Sequence, residues 1–125
     1  MNLQPTPGLV LVVDDVEGNR LLAQAHLARI GWQVKTFADA ASVLEFLDHT
    51  LPQAMLIDVR MPGLRGDTLA SLLKAQPETA VVRLVGYTAH ALPDEIASLR
   101  ASGFDEVLIK PVLYAHMQAA LPLQR

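Results

Sequence analysis

The stretch Met55-Leu56-Ile57-Asp58-Val59-Arg60-Met61-Pro62-Gly63-Leu64-Arg65-Gly66 decides the fold. An apolar run delivers one carboxylate, and Pro62-Gly63 then ends the strand, because proline has no amide proton to give to a ladder. Asp58 is therefore expected at the carboxyl end of a buried strand, facing a loop. A carboxylate wrapped in Leu, Ile and Val needs cationic partners, since a buried unpaired charge either costs several kcal/mol or takes up a proton.

Working outward, the same pattern of apolar run and polar stop recurs. Residues 1–7, with Pro5 and Pro7, read as an irregular lead-in, after which Gly8 to Val13 forms an all-apolar strand that stops at Asp14-Asp15. Such a strand is buried on both faces. Gln33 to Phe37 is a second, more polar strand and Ala54 to Ile57 the third. Val81 to Val85 is the fourth, closed by Gly86-Tyr87-Thr88, and Val107 to Ile109 is the last, ended by Lys110-Pro111.

Helical spacing fills the intervals. One helix runs from about Gly18 to Ile30, with Leu21, Ala25 and Ala28 on one face and Gly31 as its stop. Asp39 caps a second through about Asp48, with Val43 and Leu47 four apart. Asp67 to Gln76 carries Leu69, Leu72 and Leu73, with Pro77 just beyond its end. A helix from about Pro93 to Ser102 places Leu92, Ile96 and Leu99 together, and Val112 to Leu121 turns Leu113, Met117 and Ala120 inward.

Five strands alternating with five amphipathic helices predict an α/β fold, a parallel sheet with helices on both faces, because parallel neighbours need right-handed crossover connections. Sites in such sheets lie beyond the carboxyl ends of the strands. There the chain puts Asp14 and Asp15 after strand one, Asp58 at strand three, Thr88 after strand four and Lys110 at strand five.

Composition agrees with this reading. The 125 residues suit a single domain, with a core of about residues 8–121 that buries roughly two-thirds of the unfolded surface. Hydrophobic residues make up 51% and mean hydropathy is +0.28, as expected of a sheet covered on both faces. The apolar runs fall well short of the about 20 residues that cross a bilayer, so no membrane span is expected. No basic residue precedes Arg20, so no signal peptide is expected either. The absence of cysteine fits a cytoplasmic location and excludes thiolate metal sites. A net charge of −3 without a Lys/Arg cluster argues against nucleic-acid binding.

Three carboxylates gathered at one end of a sheet repel one another, and a hard cation is the usual remedy. Oxygen donors without cysteine or paired histidine favour Mg²⁺, with Mn²⁺ as the alternative. One carboxylate can then attack phosphorus to give an acyl phosphate, with an ammonium such as Lys110 and the hydroxyl of Thr88 serving the phosphoryl oxygens. Asp58 is the best placed nucleophile, which leaves Asp14 and Asp15 for the ion. Each residue alone has an ordinary structural use, Asp-Asp as a turn or helix cap, Thr88 as a loop residue and Lys110 as a solvated strand end. Their joint placement favours a site. His26 and His49 read as exposed helix residues, and Trp32 and Met117 as packing.

Asp14-Asp15, Asp58 followed by Met61-Pro62 and Gly66, Thr88-Ala89 and Lys110-Pro111 together resemble the receiver (CheY-like) domain of two-component response regulators, over Leu9 to Leu121. The resemblance implies a flavodoxin-like (βα)5 fold with strand order 2-1-3-4-5 and a cis bond at Lys110-Pro111. It implies that Asp58 accepts a phosphoryl group from a histidine kinase or histidine phosphotransfer protein. Metal binding falls to Asp14, Asp15, Asp58 and the backbone carbonyl of Arg60, and phosphate contacts to Thr88 and Lys110. The domain then catalyses only its own phosphorylation and dephosphorylation. It acts alone or fused to a kinase or output domain, as a monomer or as a phosphorylation-linked homodimer. Asn19-Arg20 resembles the corresponding pair of receivers fused to hybrid kinases.

Two departures from the family pattern involve three positions. Where receivers often carry a rotating aromatic residue three positions before the lysine, this chain has Val107, and Tyr87 and Phe104 are the aromatics near enough to substitute. Arg60 and His90 stand two residues after Asp58 and Thr88, where the family tunes phosphoryl lifetime. Val107 and Arg60 also support an alternative, a docking module of the same fold in which phosphorylation is vestigial. A Mg²⁺-dependent phosphatase would need Asp-x-Asp after strand one and a cap domain. An FMN carrier would need a Ser/Thr-rich loop where this chain has Asp14-Asp15-Val16-Glu17.

Overall fold

Apolar side chains on both sides of every central strand force a layered arrangement, and the computed structural model, which describes residues 3–89 and 92–123, shows one. Five parallel strands, β1 (Pro5–Val13), β2 (Gln33–Phe37), β3 (Leu51–Asp58), β4 (Arg83–Thr88) and β5 (Glu106–Ile109), form one sheet in the order β2-β1-β3-β4-β5. Among the described residues six helices connect and cover it: α1 (Glu17–Ile30), α2 (Ala40–Leu47), α3 (Gly66–Ala75), α4 (Pro77–Ala80), α5 (Pro93–Ala101) and α6 (Tyr114–Ala120). This is the flavodoxin-like order expected from the resemblance.

Alternate residues of the central strands feed two cores. Leu11, Val13, Met55, Ile57 and Leu84 pack with Val43, Leu69 and Leu73 on one face. Val10, Val12, Leu56, Val85 and Tyr87 pack with Leu27, Trp32, Val112 and Met117 on the other. The indole of Trp32 donates to the carbonyl of Leu121 at 2.9 Å, tying the end of α1 to the end of α6. No helix among the described residues is long and apolar enough to cross a membrane.

Several expected boundaries and faces shift. The lead-in is not irregular throughout: Pro5 and Thr6 pair with Leu51 and Pro52, so β1 and β3 both start early, and the register slips between Thr6 and Val10 around Gly8 at φ +76°. Pro77 does more than follow α3. It opens the one-turn α4, a place where its missing amide costs nothing, and β4 accordingly begins at Arg83 instead of Val81. The helix faces also differ. In α1 the buried residues are Ala23 and Leu27, while Leu21, Ala25 and Ala28 are exposed; apolar residues lie on several sides of this helix, so spacing alone supports more than one stripe. Leu92 and Leu113 are exposed because each is an extended N-cap outside the helical turn, and Leu72 is exposed beside the buried Leu69, Ala70 and Leu73. Asp39 does cap α2, accepting from the Ser42 amide at 2.7 Å. His49 is exposed, but His26 is half-buried against the Tyr114 ring.

Lys74 holds the entry to β4. Its ammonium donates to the carbonyls of Ala80 (3.2 Å) and Val82 (3.0 Å) and pairs with Asp105 at 3.2 Å, and Asp105 accepts the Leu84 amide at 2.8 Å. Lys74→Met keeps the stem and removes the donors. Allowing for partial solvent exposure, it is expected to lower unfolding free energy by about 2 kcal/mol, read as a lower urea midpoint at unchanged slope.

Candidate functional site

Parallel strands bring their carboxyl ends to one edge of the sheet, and the polar residues that stop them meet there. Asp14 directly follows the last β1 residue, Val13, which pairs with Ile57; Asp58 is the next residue of β3, in register with Tyr87 of β4. Carboxylate oxygens of Asp14, Asp15 and Asp58 lie within 4.8 Å of one another. Asp14 and Asp58 are buried and Asp15 is exposed at the mouth.

Lys110 is the cation that makes this gathering tolerable. Its Nζ lies 3.3 Å from Asp14 Oδ2 and 3.2 Å from Asp58 Oδ1, and 4.5 Å from the centre of the Tyr87 ring. The Lys110 amide donates to the Thr88 carbonyl at 2.9 Å, and the Lys110-Pro111 bond is cis. Asp14 is held by further donors: the Val16 amide on Oδ1 at 2.9 Å, the Tyr87 hydroxyl on Oδ2, and Arg20 Nη1 on its backbone carbonyl at 2.7 Å. Asp58 Oδ1 also accepts the Arg60 amide at 3.3 Å. Burial, and next the negative charge of Asp14, push the Asp58 carboxyl above the ordinary aspartate value, against the pull of Lys110 and the Arg60 amide.

The turn that sequence reading placed after Asp58 is there, with Gly63 at φ +80°, and it leads into α3 at Gly66. A Cβ at Gly66 would overlap the carbonyl of Asp58, so only glycine lets α3 start this close to the site. Thr88 is buried at the end of β4 and lines an adjoining cleft with Val59, Arg60 and Glu95. Arg60 is exposed, and its guanidinium reaches Glu95 of α5 at 3.7 Å. His90 lies outside the described residues.

The aromatic substitutes proposed for Val107 are both pinned. Tyr87 is buried and bonded to Asp14; Phe104 is buried, with its ring against Gly86, where a Cβ would come within 3.1 Å of it. Val107 itself pairs with Gly86 and is half-buried. Sequence reasoning missed Tyr87 as a site residue and the Arg60–Glu95 pair. The usable signal for Tyr87 was an aromatic adjacent to Thr88, although its direction depends on the β3–β4 register.

An all-oxygen set of three carboxylates at this spacing suits a hard divalent cation such as Mg²⁺, with Lys110 close enough to neutralise an anion bound beside it. Residues 10–122 match the family described as response regulator receiver domain. The chain is 38% identical over 104 residues to the response regulator PleD of Caulobacter vibrioides, covering 82% of this chain and 23% of that protein. It is 35% identical over 115 residues to the sensor histidine kinase RcsC of Escherichia coli (strain K12), covering 92% of this chain and 12% of RcsC. It thus spans less than a quarter of the length of these curated relatives. Among solved structures, the chemotaxis response regulator CheY4 of Vibrio cholerae superposes with a TM-score of 0.84 at 24% identity, covering 93% of this chain and all of that one. The receiver domain of the sensor histidine kinase PA1611 from Pseudomonas aeruginosa PAO1, solved with a magnesium ion coordinated in its active site cleft, gives 0.81 at 26% identity, over 91% of this chain and 93% of that one.

Proposed function

Because the chain belongs to the response regulator receiver domain family of two-component signalling, we propose that it is a phosphorylatable switch whose Asp58 accepts a phosphoryl group and later loses it to water. The observation that carries this reading is the buried Asp58 carboxylate, paired with Lys110 beside two further carboxylates at the sheet's carboxyl end. The domain is a signalling phospho-acceptor, not an enzyme acting on external substrates.

An Asp58 oxygen attacks the phosphorus of a phosphohistidine on a kinase or phosphotransfer protein. The P–N bond breaks, the electron pair leaves with the imidazole, and an acyl phosphate forms. Lys110 would move its charge from the two aspartates to the new phosphoryl oxygens, and Thr88 would donate its hydroxyl to one of them. Water later attacks phosphorus, releasing inorganic phosphate and restoring the carboxylate. Asp14, Asp15, Asp58 and the Arg60 carbonyl would hold Mg²⁺, with Mn²⁺ as a substitute. The ion supplies charge neutralisation for the transferring phosphoryl group. New contacts to Thr88 and Lys110 bias a pre-existing inactive/active equilibrium. Residues 1–125 form one receiver domain, alone or within a kinase or larger regulator, as a monomer or a phosphorylation-linked dimer.

Intact-protein mass with acetyl phosphate, with and without Mg²⁺, tests the reading. One Mg²⁺-dependent adduct, absent from Asp58→Ala, is expected. No adduct, together with no binding of beryllofluoride, would overturn it in favour of a docking module. The decay of that adduct tests a second point. In this reading Arg60 would leave Glu95 and, with His90, shield the acyl phosphate from water. Arg60→Ala should shorten the adduct's lifetime several-fold, and an unchanged decay rate removes Arg60 from that role.

A further inference from the structure

We propose that Tyr87 is a positioning residue of the acidic pocket, its hydroxyl holding Asp14 in the orientation from which that carboxylate takes a divalent cation. The inference rests on the cation-site reading given above. Tyr87 and Asp58 are register neighbours on adjacent strands, so their side chains leave the same face of the sheet, and the phenol reaches past Asp58's position to donate to Asp14 Oδ2. The other oxygen, Oδ1, accepts the Val16 amide at 2.9 Å. One donor on each oxygen fixes both the reach and the tilt of the carboxylate.

Lys110 is the remaining partner of Oδ2, but it is a different kind of holder. Its ammonium is shared with Asp58 Oδ1 at 3.2 Å, sits on a flexible stem, and is partly exposed. It is free to be drawn toward an incoming anion. Tyr87 is not: the ring is buried in the core with Val85, Val112 and Met117. Tyr87 and the Val16 amide therefore keep Asp14 in place when Lys110 is recruited elsewhere. Hydrogen-bond partners of a ligating carboxylate typically contribute 10–100-fold to metal affinity.

Tyr87→Phe removes only the hydroxyl and keeps the ring beneath Lys110. Calorimetric titration of the full chain with Mg²⁺ is expected to give a Kd about 10-fold weaker than wild type, with an amide NMR spectrum that reports an intact fold. A second measurement uses wild type labelled with ¹³C at the hydroxyl-bearing ring carbon of its two tyrosines. The Tyr87 signal should move with Mg²⁺ along the calorimetric isotherm, while Tyr114, stacked under Arg29, stays still. A variant Kd within twofold of wild type, tighter binding, or a stationary Tyr87 signal would overturn the proposal and leave the cation site standing. Wild type that binds no Mg²⁺ would overturn the site reading and this inference with it. If the variant does not fold, the labelled wild type decides.

Discussion

Replacing Asp58 by asparagine is expected to abolish the phosphoryl adduct and, in metal-free buffer at neutral pH, to raise the melting temperature by about 4 °C, equivalent to about 1 kcal/mol. Loss of the nucleophile accounts for the first effect. The second follows from the environment of Asp58, which is only 4% exposed and faces the carboxylate of Asp14. Burial first, and Asp14 second, raise its folded pKa above the ordinary value of 3.8, even with Lys110 at 3.2 Å. Between pH 3.8 and this raised folded pKa, the folded protein holds a proton that the unfolded chain has already released. Stability from this group is fully present below pH 3.8 and is lost as pH rises through the folded pKa. Asparagine has no such loss. Melts of both proteins in EDTA from pH 4 to pH 7 should show the gap opening as pH rises, and a variant no more stable than wild type at pH 7 would show that Lys110 already compensates fully.

Gly66→Ala is expected to be the most damaging single methyl in the chain, on the order of 3 kcal/mol. The new Cβ would overlap the Asp58 carbonyl oxygen and come within 2.9 Å of the Asp58 carbonyl carbon and of Val59 Cα. All three atoms are backbone and cannot rotate away. Gly66 is also held from the other side, its amide donating to the Val59 carbonyl at 2.9 Å, so either α3 or the end of β3 must shift. Gly18, in the first turn of α1, is the control, since a Cβ there meets nothing within 4 Å. Chemical denaturation of both alanine variants measures the contrast. Equal midpoints would mean that the start of α3 is slack, and amide shifts from Asp58 to Gly66 locate any displacement.

The carboxyl ends of the strands were legible in the sequence because each is punctuated: Asp14-Asp15, Asp58 before Pro62-Gly63, Thr88, and Lys110 before proline. The strand order came from the family resemblance, since nothing in the local pattern says that β1 lies between β2 and β3. Helix faces were harder. Leu92 and Leu113 fit helical spacing in sequence, but as extended N-caps they do not take part in the helical turn. In α1 the choice of Ala23 and Leu27 over Leu21, Ala25 and Ala28 is made by how the helix docks, which is a tertiary fact. Thr79 shows the same limit. A polar residue two after Pro77 gave no sign of a helix, yet it is buried in α4 with its hydroxyl on the Leu73 carbonyl. Tyr87 was legible as a nearby aromatic but not as a partner of Asp14, because the neighbour it faces is set by the pairing of β3 with β4.

Trp32, the single tryptophan of the chain, precedes β2 at the edge of the sheet opposite the acidic cluster, roughly 20 Å along the strands from Asp14. Its indole is buried and clamped to Leu121. Intrinsic fluorescence is therefore insensitive to events at the acidic cluster by direct quenching. An emission change on phosphorylation would instead report that the seam between α1 and α6 had moved, a long-range signal already carried by the native chain without any attached dye.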